Sequence, residues 1–276
     1  MRRFHDWITR ALVVGVILLA GACSSDKEEP YVEKPPERLY AEAVADMESG
    51  DYKEAARLFS EVERQHPYSQ WSPRAQVMTA FMQYQAMEYD KSVDALDRFI
   101  QTHPGHSSIA YAYYLRALCF YERIPDVRRD QGFTEKALTA LDEVVRRAPD
   151  TEYARDARLK MDLANDHLAG REMEVGRYYL GQKIPSAALG RFRRVVEVFQ
   201  TTSHVPEALH RLVEVYLLLG LTDEAQATAA VLGHNFPGST WYQDSFGLLD
   251  SRGLKPEDKK DSWIGRVWNK MARTIE

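Results

Sequence analysis

The chain has 276 residues, of which 45% are apolar and 11% aromatic, and its net charge is −5. This composition supports a folded core and excludes an intrinsically disordered protein, and the slightly acidic balance gives no electrostatic reason to expect a nucleic-acid partner. Two cysteines are too few for a disulfide framework or a four-cysteine zinc site. The longest apolar run, residues 11–22, falls short of the roughly 20 residues that a membrane-spanning helix needs.

The N-terminal segment has the organisation of a secretory signal peptide. Arginines precede the apolar run and the small residues Gly21 and Ala22 close it, which predicts a signal peptide over residues 1–22. Cys23 follows directly, in a pattern that resembles the lipobox of bacterial lipoproteins, with Ala20 where leucine is usual. The resemblance implies that Cys23 is lipidated. An ordinary signal peptide followed by a chance cysteine is the alternative.

The segment after the cysteine is polar and rich in proline. Residues 23–36 therefore read as a lipidated cysteine and a flexible tether to a folded body. By the sorting rule known for such lipoproteins, Ser24 implies delivery to the outer membrane. The expected location is the periplasmic face of that membrane, with the lipid in its inner leaflet.

The body of the chain repeats itself from residue 37 onwards. Amphipathic helices recur in pairs, and a proline breaks the second helix of each pair, except that Gln200 replaces it in the fourth. A small residue stands twelve positions before each break, which predicts that another helix crosses closely there. These small residues are Ala55, Ser92, Ala137, Ala188 and Ala225.

Helix pairs with a column of small residues and a terminal proline resemble the tetratricopeptide repeat. We therefore predict an all-α fold, an α-solenoid of about five such pairs over residues 37–250, whose stacked units form a concave binding groove. Two insertions lengthen the repeats: residues 122–132 and a helical stretch over 151–181, either continuous or kinked. The predicted units are about 37–72, 73–107, 108–150, 151–204 and 205–250.

The sequence offers little that suggests catalysis. It contains no nucleophile elbow, no phosphate-binding glycine loop and no His-Glu-x-x-His motif. His103 and His106 flank a predicted turn without a third ligand nearby, and Cys119 lies in an apolar helix where a structural role is expected. We therefore expect no enzyme, no cofactor and no metal site.

Aromatic residues are concentrated in the first three units. Tyr111, Tyr113 and Tyr114 cannot all face one side of a helix, so at least one is expected to face the groove or solvent. Aromatic groove residues would suit an extended apolar or aromatic peptide. The candidate groove residues are Tyr40, Phe81, Tyr84, Arg98, Tyr111 and Tyr114.

The C-terminus carries a charged linker, residues 251–262, and a predicted amphipathic helix over 263–276. This helix could fold back on the last repeat, dock on a partner or lie in the lipid headgroup layer, with Trp263 and Trp268 as its candidate contacts. One face is apolar, formed by Trp263, Ile264, Val267, Trp268 and Met271. The opposite face is basic, formed by Arg266, Lys270 and Arg273.

Together, the lipobox, the tether and the repeats resemble the BamD family of outer-membrane assembly lipoproteins. The resemblance covers residues 23 to about 249, and the Trp-rich tail departs from it. The stretches that carry it are residues 36–41, 50–68, 97–100, 103–106, 114–118, 129–131 and 178–179.

The resemblance implies a non-enzymatic scaffold of the β-barrel assembly machinery. Its partners would be BamA, other lipoproteins of the machinery and unfolded outer-membrane barrel proteins. The first units would receive barrel segments and the last would dock BamA, with Arg191 at the position that family members use against BamA; a solvent-facing helix residue is the alternative for Arg191. Two further hypotheses stay open: a generic periplasmic repeat adaptor for envelope or cell-division proteins, and a lipoprotein enzyme with an unrecognised site.

Overall fold

The computed structural model describes residues 33–259 and 261–268, and the chain divides into the units Met1–Pro35 and Pro36–Glu276. The predicted signal peptide, Cys23 and most of the tether lie outside the described residues, as do Lys270, Met271 and Arg273. The regular elements of the described part are helices, as predicted. Eleven are long: α1 (Pro36–Ser49), α2 (Tyr52–Gln65), α3 (Ser72–Gln85), α4 (Tyr89–Thr102), α5 (Ile109–Tyr121), α6 (Gly132–Arg147), α7 (Glu152–Gly181), α8 (Pro185–Val198), α9 (Val205–Leu218), α10 (Thr222–Asn235) and α11 (Thr240–Asp250).

In four of the five pairs, the turn between the two helices reverses the chain through a residue in the left-handed conformation. Gly50 and Gly220 have φ of 85° and 75° in the turns after α1 and α9. The turns after α3 and α7 use Met87 and Lys183 instead, with φ of 60° and 61°. A side chain in this conformation is strained, whereas glycine adopts it freely. The turns of these four pairs therefore share one backbone geometry, which glycine adopts in two of them and a residue with a side chain in the other two.

The predicted column of small residues is confirmed, because all five members are fully buried in the helix crossings. Ser92 is the polar member, and its hydroxyl is satisfied by donating to the carbonyl of Ala80, 2.8 Å away on α3. Cys119 lies 3.4 Å from the same hydroxyl, and burial raises the pKa of its thiol to about 11. Cys119 is thus a packing residue, as expected.

Consecutive helices pack against each other from α1 to α11, which gives the stacked arrangement of a helical-repeat solenoid. First helices of neighbouring pairs also touch: α3 packs on α5, and α5 on α7. These contacts are more extensive than any between second helices in the described part of the chain. Because the stack closes on the side of the first helices, that side is its concave face.

The second insertion forms one continuous helix, the 30-residue α7. Its C-terminal half packs so closely on α8 that a Cβ built on Gly176 would lie 2.4 Å from Phe192. The first insertion packs on α7 as well: the His167 ring nitrogen lies 2.6 Å from the carbonyl oxygen of Pro125, and Arg171 donates to the carbonyl of Arg128. The two insertions therefore support each other.

The last repeat is closed by α11, which buries His210 of α9. The His210 Nδ1 lies 2.9 Å from the Ser245 hydroxyl, and its ring is tilted against Trp241 at 5.2 Å. Burial lowers the pKa of His210, an effect that the nearby Glu214 carboxylate partly offsets. The imidazole is held neutral by its surroundings.

Candidate functional site

An aromatic row runs along the first helices of the second to fourth pairs. Phe81 of α3 lies 6.4 Å from Tyr111 of α5, and Tyr111 lies 5.7 Å from Tyr153 at the start of α7. Tyr114 stacks on Tyr153 at 5.3 Å. All four rings are partly buried, so each keeps some exposed surface, and all four lie on first helices. The structure thus joins three of the predicted groove residues into one surface.

The tyrosine hydroxyls at the edges of the row are hydrogen-bonded to carboxylates. The Tyr84 hydroxyl donates to Glu122 at 3.2 Å, and the Tyr114 hydroxyl donates to Asp156, which Lys160 also contacts. Burial, reinforced by these carboxylates, raises the pKa of both tyrosines. Their hydroxyls stay protonated and fixed in direction. The row therefore presents apolar ring faces bordered by Glu122 and by the Asp156–Lys160 ion pair.

Two other predicted groove residues have different partners. Tyr40 of α1 packs at 5.0 Å on both Phe59 and Trp71, against the core of α1, α2 and α3 that Phe81 also contacts. Arg98 is exposed on α4, a second helix, and therefore does not belong to the face of the first helices. Tyr113, the middle residue of the tyrosine triplet, is the member that is buried.

A second surface is centred on the outer face of α8. Arg191 is 45% exposed and pairs with Glu172 of α7 at 3.1 Å, while Arg194 pairs with the other oxygen of Glu172 at 3.2 Å. Two guanidinium groups thus share one carboxylate, which leaves a net positive charge. The insertion residues 129–131 line a cavity of about 290 Å³ beside this cluster, together with Glu172 and Arg194.

The tail folds back on the second helices of the last two pairs, one of the three arrangements considered from sequence. Trp263 donates from its indole to Glu197 of α8 at 2.9 Å, and its backbone N–H donates to Glu224 of α10. The guanidinium of Arg193 lies 4.6 Å from the Trp263 ring. Ile264 is fully buried, and Trp268 packs against the same core. Within the described tail, these contacts close the last repeats.

Sequence reasoning missed Tyr153 and Glu172, although both determine a surface. Tyr153 connects Tyr111 to Tyr114, and Glu172 holds the two arginines of α8. A repeat register drawn through α7 could have placed Tyr153 beside the other first-helix aromatics. No comparable signal existed for Glu172, because its role depends on how α7 crosses α8.

The described residues contain no cluster of histidine, cysteine and acidic side chains arranged to hold a metal ion. Among the same residues, no helix combines the length and the apolar character that crossing a bilayer requires.

The stacked antiparallel helix pairs and their partly exposed aromatic row place this chain in a class of proteins. It is an α-helical repeat protein of the tetratricopeptide type. The family described as YfiO, outer membrane lipoprotein, matches residues 32–232. A Caulobacter vibrioides protein named outer membrane protein assembly factor BamD is 49% identical, covering 89% of this chain and 83% of its own length. A Rickettsia prowazekii protein of the same name is 43% identical, and the match covers 88% of this chain and 96% of that protein. The chain belongs to this family of BamD assembly lipoproteins.

Among solved structures, a thermophilic tetratricopeptide-repeat protein of Thermus thermophilus is similar at a TM-score of 0.37, with 19% identity, 76% of this chain covered and 95% of that chain.

Proposed function

We propose that this protein is a lipid-anchored periplasmic scaffold of the β-barrel assembly machinery, which holds BamA and unfolded barrel segments together at the outer membrane. The family supports the assembly role, since relatives of 43–49% identity carry the name of outer membrane protein assembly factor. The partners and the absence of catalysis are part of the proposal. Chemistry such as lipid disruption belongs to the barrel protein.

The observation that carries the proposal is the aromatic row on the concave face. Partly buried rings of Phe81, Tyr111, Tyr114 and Tyr153 offer apolar area that is already ordered, so a peptide loses little conformational entropy in covering it. In extended segments of unfolded barrel proteins, every second side chain is apolar or aromatic and is exposed. Confinement by the lipid raises the local concentration, so modest affinity is sufficient.

The row is tested by peptide binding. Replacing Tyr111 and Tyr153 with alanine should weaken binding of a synthetic aromatic peptide from the C-terminus of a barrel protein at least tenfold, because each stacked ring contributes about 1 kcal/mol beyond its buried area. Replacing exposed Tyr68, which lies outside the row, with alanine is the control and should leave affinity unchanged. Equal affinity for all three proteins would refute peptide capture by the row.

Docking of BamA is tested on α8 with a matched pair of variants. Arg191→Glu and Arg194→Glu remove the same type of ion pair with Glu172 and place like charges beside it. Their structural costs should therefore be similar. If Arg191 contacts BamA, only R191E should lose recovery of BamA in a cross-linked pull-down. Equal recovery by both variants would exclude the specific contact.

The anchor is tested by fractionation. Cys23→Ala should release the mature protein from the outer membrane, because no acyl chain can be attached. Unchanged membrane fractionation would contradict lipidation.

Recovery of peptidoglycan enzymes in place of barrel proteins in the cross-linked pull-down would instead favour the alternative function, a periplasmic adaptor.

A further inference from the structure

The tail crosses the back of the last two helix pairs, which is the side of the second helices. The last pair already ends on α11, which packs on both α9 and α10 and buries Ser245 and Leu249. The tail, residues 254–268, contacts α8 and α10, the second helices of two different pairs. It therefore joins two repeats from outside, in addition to the closure that α11 provides.

The junction beneath the tail is held mainly by one helix contact. Between the second and third pairs, and between the third and fourth, the first helices also pack on each other. Between the fourth and fifth pairs, the extensive contact in the described part of the chain is that of α8 with α9. Arg177 of α7 adds an ion pair with Glu207 of α9 at 2.9 Å. Because each unit of a linear stack is held only by its neighbours, a junction with fewer contacts is where the end of the stack opens first.

One residue of the tail contacts both second helices. The indole N–H of Trp263 donates to Glu197 in the last turn of α8 at 2.9 Å, and its backbone N–H donates to Glu224 of α10 at 3.0 Å. The guanidinium of Arg193 on α8 lies 4.6 Å from the centre of the indole ring, and its Nε donates to the hydroxyl of Tyr216 on α9 at 3.0 Å. Trp263 therefore links α8 to α10 directly and reaches α9 through Arg193.

The segment before Trp263 is fastened to α10. The Gln226 side chain donates to the carbonyl of Lys255 at 2.8 Å, and the backbone N–H of Glu257 donates to the carbonyl of Gln226 at 3.3 Å. These contacts tie the segment to the last pair. The connection to the fourth pair is made further along, by Trp263.

The two tryptophans of the tail have different surroundings. Ile264, next to Trp263, is fully buried. Trp268 instead borders a cavity of about 460 Å³, which it lines together with Gly265 of the tail and with Ala230 and Val231 of α10. A side chain beside a void has fewer packing contacts to lose when it is truncated. Trp268 is therefore a matched control for Trp263.

We propose that the tail is a strap that makes the last two helix pairs a single cooperative unit, with Trp263 as the residue that joins them. The strap adds a connection from α8 to α10 beside the one that runs through α9. The last pair therefore cannot open without also losing the contacts of Trp263 with α8. The strap is independent of the proposed function, since it concerns contacts within the chain alone.

Hydrogen exchange on the full-length protein tests the strap. In the original protein, the slowest amides of α8 and α10 should have protection factors within threefold of each other. Trp263→Ala should lower the protection of α10 at least tenfold and that of α8 by less, so that the two helices separate. Trp268→Ala should keep them together. Trp263→Phe keeps a ring beside Arg193 but loses the hydrogen bond to Glu197, so it should separate the helices by a smaller factor than alanine does.

Four results would overturn the proposal. If α8 and α10 already differ more than tenfold in the original protein, the pairs open separately despite the tail. If Trp263→Ala speeds exchange within the tail alone, its ring does not join the pairs. If protection falls equally in α2, α4, α8 and α10, Trp263 stabilises the whole chain and not this junction. If Trp268→Ala separates the helices as much, Trp263 is not the joining residue. Should either alanine variant fail to fold, Trp263→Phe and Trp268→Phe give the same comparison.

Discussion

The close contact between α7 and α8 positions α8, and Gly176 makes this contact possible. A Cβ added at this residue would lie 2.4, 2.7 and 2.9 Å from three ring atoms of the fully buried Phe192. Alanine gains about 1 kcal/mol of helix propensity over glycine, but overpacking a core costs about 1–3 kcal/mol. Since three contacts are below 3.0 Å, the upper part of that range applies. We expect Gly176→Ala to destabilise the protein by about 1–2 kcal/mol.

The assay is thermal unfolding, in which about 1 kcal/mol corresponds to about 2–4 °C for a chain of this size. Gly190→Ala on α8 is the matched control, because no atom lies within 4 Å of its added Cβ. It should raise the melting temperature through helix propensity alone. Phe192→Leu combined with G176A should cost less than the sum of the single changes, because the smaller side chain makes room. If G176A raised the melting temperature as much as G190A does, the close crossing of α7 and α8 would be refuted.

Three further predictions follow from the described contacts. Because burial lowers the pKa of His210, the unfolded state binds a proton that the native state resists. The free energy of unfolding should therefore fall as the pH drops below about 6.5, the ordinary pKa of histidine, and remain level above that pH. Melting curves from pH 8 to 5 test this, and His210→Asn should flatten the pH dependence. Trp263→Ala should cost about 2 kcal/mol by loosening the tail, seen as a lower melting temperature and faster proteolysis of the linker; unchanged values would show that the tail is not held by this ring. In a Cys23→Ala background, Cys119 should react with a thiol reagent only after unfolding, since burial raises its pKa to about 11; rapid native labelling at pH 8 would contradict its packing role.

Local pattern predicted the helices and their pairing well. The column from Ala55 to Ala225 was readable because a small residue at a fixed helical position has one physical use, a close helix crossing. The prolines were equally direct, since they end a helix wherever they occur in its interior. These are short-range effects, so they are visible in the order of residues alone.

The surfaces depended on contacts between residues far apart in the chain. The sequence pattern could assign aromatic residues to the first helices. Only the packing of α3, α5 and α7 shows that Tyr111 contacts both Phe81 and Tyr153, whereas the ring partners of Tyr40 are Phe59 and Trp71. Arg98 was grouped with the groove by its residue type, and the alternation of first and second helices places it elsewhere.

The sequence by itself determined an all-helical repeat chain with a lipoprotein-like start, because helix period, proline breaks and the lipobox pattern act within a few residues. Only the tertiary structure decided that two arginines share Glu172 and that Trp263 binds Glu197 and Glu224. Side-chain partners across a stack are fixed by crossing angles and insertion lengths, which no local pattern encodes.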